Sequence, residues 1–463
     1  MSVTPAIIEA WCQNLLGAHP ERTRRPLDEY LQAIPRLDSL ADVPSGTAVL
    51  VRGDVDAKPG PNIGEGDIRL RSMLDTLRFG RERGWKQVIF GHIGRDPAGS
   101  LSKVRDRFEQ LLECPVHFVP DWLDPETLDI LPAVTETINK ANPGDVILLE
   151  NTRKYDIERV LWKAKPEDAA SLSGKLAHLA NQFAEKVATV YVNEALSAGS
   201  LDTSSTIVPA AMGRVALGKY VASEFDGPMT DCLGAQLVIF SGLKIDKLDD
   251  LQAIIDRGKV RMVISAGSLA MALKKAMAQL DGGDFPLGVA EDPAHSDKPY
   301  YIPAERVEQA RKMIEKGRQS GVEFVLPVDF VLADGTVSET IGEGQQQLDV
   351  GPKTSELFAQ KVGEFIASGK DLVAFHNGVF GKFEDPQFEA GSKKFVEQLK
   401  RMHDAGVKVY VGGGEGGKAL EKYGDESWVT HVFTAGGTVL NALGGEPVPY
   451  LLALRMAVQG AYY

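Results

Sequence analysis

The tightest constraint on this chain is an alternation. Short apolar, β-branched runs lie at 47–52, 87–90, 116–119, 146–149 and 188–192, and again at 236–240, 260–265, 322–327, 372–375, 407–411 and 431–434. Longer amphipathic stretches separate them, as at 103–112, 304–320, 354–366 and 392–405. Strand-length runs alternating with helix-length segments specify βαβ units and parallel sheets. A length of 463 residues adds an expectation of two to three domains at roughly 150 residues each. The predicted fold is α/β: two Rossmann-like lobes, each a mostly parallel sheet between helical layers, joined by a hinge helix. Residues 1–33 read as an N-terminal extension, 34–212 as a first domain and 213–232 as the interdomain helix and hinge. A second domain follows over 233–445, and 446–463 as a C-terminal helix packing back across the hinge. Gln345–Gln347 reads as loop.

Composition narrows the function classes. Lys plus Arg is 51 and Asp plus Glu is 64, a formal net charge of −13. So acidic a chain is a poor binder of nucleic acid or anionic membrane, and any anionic ligand needs a local basic patch. Cys12, Cys114 and Cys232 are too few and too scattered for a disulfide framework or a zinc site. A cytoplasmic, monomeric protein is the expectation. No apolar run is long enough to span a membrane, and no signal peptide is visible.

The predicted strands end in two kinds of residue, at the edge where parallel sheets bind ligands. In the first half the ends carry charge: Arg52, Asp54 and Asp56; His92 and Arg95; Glu150 and Arg153; Asn193 and Glu194. In the second half they carry glycine: Gly242, Gly267, Gly378, 412–417 and 436–437. Glycine is in excess, 47 of 463 against a usual share of about 7%. Backbone N–H groups presented by a glycine turn at a helix start hold phosphates. Gly412, Gly414 and Gly417 satisfy the spacing of a dinucleotide fingerprint. No acidic residue follows at the next strand end, and no Walker motif occurs. Arg69, Arg95 and Arg153, with His92, offer guanidinium forks for carboxylate or phosphate oxygens, whereas Arg52 reads as structural. A basic site and a phosphate cradle on two lobes suggest phosphoryl transfer between anions, with hinge closure to expel water.

Ordered motifs then make the chain resemble the phosphoglycerate kinase family. They are Val-Leu-Val-Arg-Gly-Asp-Val-Asp (49–56), Asp-Ile-Arg-Leu-Arg (67–71), Gly-His-Ile-Gly-Arg (91–95) and Leu-Glu-Asn-Thr-Arg (149–153). In the second half Asp-Val-Gly-Pro-Lys-Thr (349–354), Asn-Gly-Val-Phe-Gly-Lys-Phe-Glu (377–384), Gly-Gly-Gly-Glu (412–415) and Gly-Gly (436–437) follow in the family's order. The resemblance implies a kinase of glycolysis, gluconeogenesis or carbon fixation. It would transfer the γ-phosphoryl group of ATP reversibly to the carboxylate of 3-phosphoglycerate or a related acid, with Mg²⁺. It implies catalytic roles for Arg69 and Lys244, and acid binding by Asp54, Asp56, Arg69, His92, Arg95 and Arg153. Nucleotide contacts would come from Gly242, Lys244, Lys247, Gly267, Asn377, Glu384, Gly413, Gly414, Glu415, Gly436 and Gly437, with Glu415 on the metal.

The chain also departs from the family. Where the family has Asn, Asp56 stands. Where it has Arg preceded by His, Leu201 stands after Ser200. Glu415 replaces an Asp, and the second lysine of the Lys244 motif survives as Lys247, one residue closer. Loss of an arginine should weaken phosphate binding, unless Arg71 or an extension residue such as Arg24 takes its place. A kinase-derived paralogue that binds nucleotide, or acts on another carboxylate, is the alternative.

Overall fold

The apolar runs of the first half become strands covered on both faces. β1 (Ala48–Gly53), β2 (Lys86–Phe90), β3 (Val116–Val119), β4 (Val146–Leu149), β5 (Val190–Glu194) and β6 (Arg214–Leu217) form one sheet, ordered β3-β4-β2-β1-β5-β6. Every pairing in it is parallel. Within β2, Ile89 joins a core with Leu77 and Phe108. Its neighbour Phe90 meets the Phe183 ring at 5.3 Å, on the helix Ala169–Lys186. Successive side chains thus enter two different helical layers, so the strand must be apolar throughout.

The computed structural model describes residues 2–460 apart from Lys244, Asp246, Gly445 and Glu446. The chain forms two compact units, Met1–Asp226 with Gly445–Tyr463, and Gly227–Gly444. The extension is part of the first unit's packing. Its helix Pro5–Leu15 buries Trp11 completely, and the indole Nε1 donates to the carbonyl of Thr206 at 2.8 Å. The C-terminal helix Pro449–Gln459 belongs to the same unit, where Asn14 Nδ2 lies 3.7 Å from Met456 Sδ.

The stretch expected to be one connecting helix from residue 213 is not one. Arg214–Leu217 pairs with β5 as an edge strand, and helix begins only at Lys219–Glu224. A four-residue apolar run is too short for periodicity to separate strand from helix, and the open edge of β5 decides it.

In the second unit the chain supplies β7 (Leu237–Ser241), β8 (Met262–Ala266), β9 (Glu323–Val325), β10 (Phe330–Leu332), β11 (Val337–Ser338), β12 (Gln347–Val350), β13 (Val373–Asn377), β14 (Lys408–Gly412) and β15 (His431–Phe433). Six of them form a second sheet, ordered β15-β14-β13-β7-β8-β9 and parallel throughout. A small antiparallel sheet, β11-β10-β12, was not expected, and it takes Gln347 out of the predicted loop. Its strands are too short and too polar to show an alternation. Among the described residues no helix is long and apolar enough to cross a membrane.

Candidate active site

β1, β2 and β5 end side by side, and their carboxyl ends gather the first unit's charges. Arg52 is wholly buried. It donates to Gly53 O at 2.8 Å, Ser204 Oγ at 2.9 Å and His92 Nδ1 at 2.7 Å. Accepting there leaves the imidazole proton on Nε2. Burial, then the guanidiniums of Arg52, Arg153 and Arg69, hold His92 well below its ordinary 6.5, so the ring is neutral. Asp54 is buried too, held by Ser197 Oγ at 2.7 Å. Burial raises its carboxyl, opposed by Arg69 and Ser197. Arg69 lies 3.8 Å from Asp54 and 2.8 Å from Asp56. Asp56 also accepts from the Gly94 backbone N–H at 2.9 Å. The carboxylate standing where the family has Asn has therefore captured the arginine expected to meet the transferring phosphoryl group.

A second carboxylate does the same at Arg153. Asp202 is fully buried. It receives the Trp162 indole N–H at 2.8 Å and Arg153 Nη2 at 3.1 Å, and Arg52 Nη2 lies 3.5 Å away. The Arg153 guanidinium also stacks 4.7 Å from the Trp162 ring centre and donates to Gly94 O at 2.6 Å. Leu201, immediately before Asp202, is half-buried, and Ser200 is exposed. Arg71 does not replace the missing arginine: it is tied to Asp67 at 2.9 Å. Arg95 is exposed.

The second unit prepares its site with backbone. Gly242, Gly267 and Gly378 follow the adjacent strands β7, β8 and β13, each with positive φ. Gly378 (φ 100°) passes so close to Ser241 that a Cβ would collide with its carbonyl oxygen. A Cβ on Gly267 would come within 2.9 Å of Gly242 O. The three turns thus lock into one another, which only glycine permits. Helices begin directly after β8 and β14, at Gly267–Leu280 and Gly413–Tyr423, and two residues beyond β15, at Gly436–Gly444, and their N-terminal N–H groups favour anions.

Below these turns lies a cleft of about 300 Å³, lined among others by Gly242, Leu243, Met271, Tyr300, Glu384 and Glu415. Lys247 donates to Ser241 O and Asn377 Oδ1, both at 3.0 Å, with Glu415 at 3.9 Å. Asn377 in turn donates to Gly412 O at 3.0 Å. Glycine at 414 and 437 leaves open space, with nothing within 4 Å of a built Cβ.

Of the residues singled out from sequence, Gly242, Glu384 and Glu415 line the cleft, while Lys247 and Asn377 form its hydrogen-bonded rim. Gly267, Gly413, Gly414, Gly436 and Gly437 stand at the helix starts beside it. Lys244 lies outside the described residues. The 349–354 motif is scaffolding. Asp349 is buried and accepts from Gly391 N at 2.8 Å, and Thr354 Oγ1 bonds Asp329 at 2.7 Å. Burial pushes the Asp349 carboxyl up to about 6, against the hydrogen bonds from Gly391 and Val350. Sequence reasoning missed Asp202, Trp162 and Tyr300. Asp202 had one signal, an acid next to the changed Leu201. Nothing in the sequence marked the other two.

Magnesium, which the resemblance implies, fits here only as a shared ligand. Among the described residues no group of three or more ligating side chains exists. Glu415 offers an exposed carboxylate at the cleft, and Mg²⁺ is commonly held by one or two carboxylates together with nucleotide phosphates.

The chain, built as two parallel-sheet units, falls by its family match in the class of phosphotransferases that act on a carboxyl group. The phosphoglycerate kinase family model matches residues 40–446, and the chain belongs to that family. The phosphoglycerate kinase of Eremothecium gossypii is 30% identical over 438 residues, covering 88% of this chain and 94% of that protein. That of a Synechococcus species is 30% identical over 438 residues, covering 89% and 96%. The crystal structure of phosphoglycerate kinase from Pyrococcus horikoshii shares the fold, with a TM-score of 0.71 at 22% identity over 92% of this chain and all of that one.

Proposed function

We propose that this chain transfers the γ-phosphoryl group of ATP reversibly to the carboxylate of a small acid, 3-phosphoglycerate or a relative of it. One carboxylate oxygen bonds to the γ-phosphorus while the bond to the β,γ-bridging oxygen breaks. ADP leaves, and the product is an acyl phosphate. No general base is required, because the acid is already ionised at neutral pH.

The observation that carries this reading is the cleft with helix N-termini at three of its sheet's strand ends. Such an array suits a polyphosphate, and Tyr300, Leu243 and Met271 supply apolar surface for a base. Glu384 is assigned to the ribose, and Glu415 to Mg²⁺ shared with the phosphates. Bound there, the metal would neutralise phosphate charge. Arg69, with Lys244 by its motif, balances charge on the transferring group. His92, as a neutral donor, and Arg95 are assigned to the acid. The cysteines are unpaired, which supports a reducing, cytoplasmic setting.

A second reading is favoured by one observation: Asp56 and Asp202 already pair with Arg69 and Arg153. A nucleotide-binding paralogue without transfer activity would tolerate that. A coupled assay of ADP release, with MgATP and a panel of small carboxylic acids, separates the two. Release that depends on an acid supports the kinase. ATP binding by calorimetry without release on any acid supports the paralogue.

A further inference from the structure

The buried Asp202 carboxylate sits among donors that would otherwise serve a ligand. Trp162 Nε1, Arg153 Nη2 and Arg52 Nη2 converge on it at 2.8, 3.1 and 3.5 Å. Its environment leaves an incoming phosphate two options at Arg153. It displaces Asp202 and strands a buried charge, or it settles beside Asp202 as a second anion. Both are unfavourable. Glu158 beside Asp202 is buried and accepts from Thr203 Oγ1 and Ser204 N at 2.9 Å. Burial together with Asp202 raises its carboxyl, which favours its neutral form and leaves Asp202 as the anion of the cluster.

The remaining cations are few. Arg69, held by Asp56 and Asp54, is assigned to the transferring group rather than to the acid, and His92 is neutral. Only Arg95, exposed and without an ion pair among the described residues, is left of the three arginines that the sequence pointed to. One guanidinium matches one carboxylate. It does not match a carboxylate together with a phosphate dianion.

We propose that Asp202 is a built-in counter-ion occupying the anion position of the first unit, and that the acid this unit takes is a monocarboxylate with an uncharged far end rather than a phosphorylated acid. The inference rests on the reading of the chain as a carboxylate kinase and names its substrate class. Asp202 is then a specificity-determining residue. Leu201 beside it lines the pocket with apolar surface instead of charge.

The test compares two probes, D-glycerate and 3-phosphoglycerate, by calorimetry on the full chain, on Asp202→Asn and on Asp202→Glu. In the wild type the phosphate should bring no advantage, the two acids binding within about threefold of each other. Asp202→Asn frees Arg153, and a charge-assisted bond to phosphate should tighten 3-phosphoglycerate about tenfold or more while glycerate stays put. Asp202→Glu should keep the wild-type ranking. A purely structural role for Asp202 would move both acids together. The wild-type ratio stands even if a variant fails to fold. The proposal is overturned by wild-type binding of 3-phosphoglycerate about tenfold tighter than glycerate, about 1.4 kcal/mol. It is equally overturned by Asp202→Asn weakening 3-phosphoglycerate alone, or by neither acid binding at millimolar concentration. If the binding ratio comes out as expected and ADP is never released, the kinase reading fails and the Asp202 assignment does not.

Discussion

The two units solve the problem of holding anions in opposite ways. The first uses long charged side chains, and nearly every one is already answered within the chain: Arg52 and Arg153 by Asp202, Arg69 by Asp56. The second uses backbone: three interlocked glycine turns and the starts of three helices. Side-chain charge is easily retuned by one neighbouring substitution, as Asp202 and Asp56 illustrate. A glycine turn packed against another backbone is not, because no second residue can restore the space. The glycine turns of the second unit should therefore tolerate substitution least, and the charged strand ends of the first unit most.

Breaking each half should have a different signature. The largest effect belongs to Arg69→Ala, which removes a cation from the transferring group. ADP release should fall about 10²–10³-fold, the loss typical of one preorganised charge-stabilising donor. Arg69→Lys, which keeps Asp54 and Asp56 paired, should recover part of it. Full activity in the alanine variant would end the catalytic assignment.

Next comes Gly378→Ala. A side chain at positive φ that collides with Ser241 O should cost about 3 kcal/mol or more, read as a lower melting temperature and weaker ATP binding. Gly437→Ala, in open space, should leave melting unchanged within about 0.5 kcal/mol. Equal melting of the two variants would contradict the interlocking of the turns.

Glu194 gives a smaller, pH-dependent effect in the first unit. It caps the helix Lys219–Glu224 through the N–H groups of Tyr220 and Val221, at 3.0 and 3.3 Å. Burial raises its carboxyl from 4.5 to about 7, opposed by hydrogen bonds from Thr76, Tyr220 and Val221. The folded chain therefore keeps a proton between these values that the unfolded chain has released. Its stabilising contribution is full below 4.5 and is lost as the pH rises through 7, up to about 3 kcal/mol. Glu194→Gln should flatten the pH dependence of chemical denaturation across that window, and an unchanged slope would sink the assignment.

The smallest effect is at Glu415. Its pairing with Lys247 at 3.9 Å is half-exposed and should contribute less than about 1 kcal/mol to stability. Glu415→Gln should leave melting alone and reduce the Mg²⁺ dependence of ATP binding. A large drop in melting with no change in Mg²⁺ dependence would make it a structural residue.

The strands of both large sheets were legible because two-sided burial forces continuous apolar runs, which is why β3 and β4 coincide with their predicted ranges. Arg214–Leu217 was not, since four residues carry no usable period, and β10–β12 are shorter or more polar still. The extension gave no sign that Trp11 would reach Thr206, because docking is a property of the surface it meets. At the site, residue types at strand ends pointed to the carboxyl edges of the two large sheets, where the structure gathers them. They did not reveal which arginines were committed. That depends on Asp202 and Asp56, whose partners are adjacent only after folding.

Phosphorus NMR of the chain with MgATP and a series of small carboxylic acids tests the central claim most directly. Phosphoryl transfer to carboxyl predicts an acyl-phosphate resonance growing in equal amount with ADP and vanishing when hydroxylamine is added. ATP that stays intact beside every acid, while calorimetry finds it bound, would contradict it.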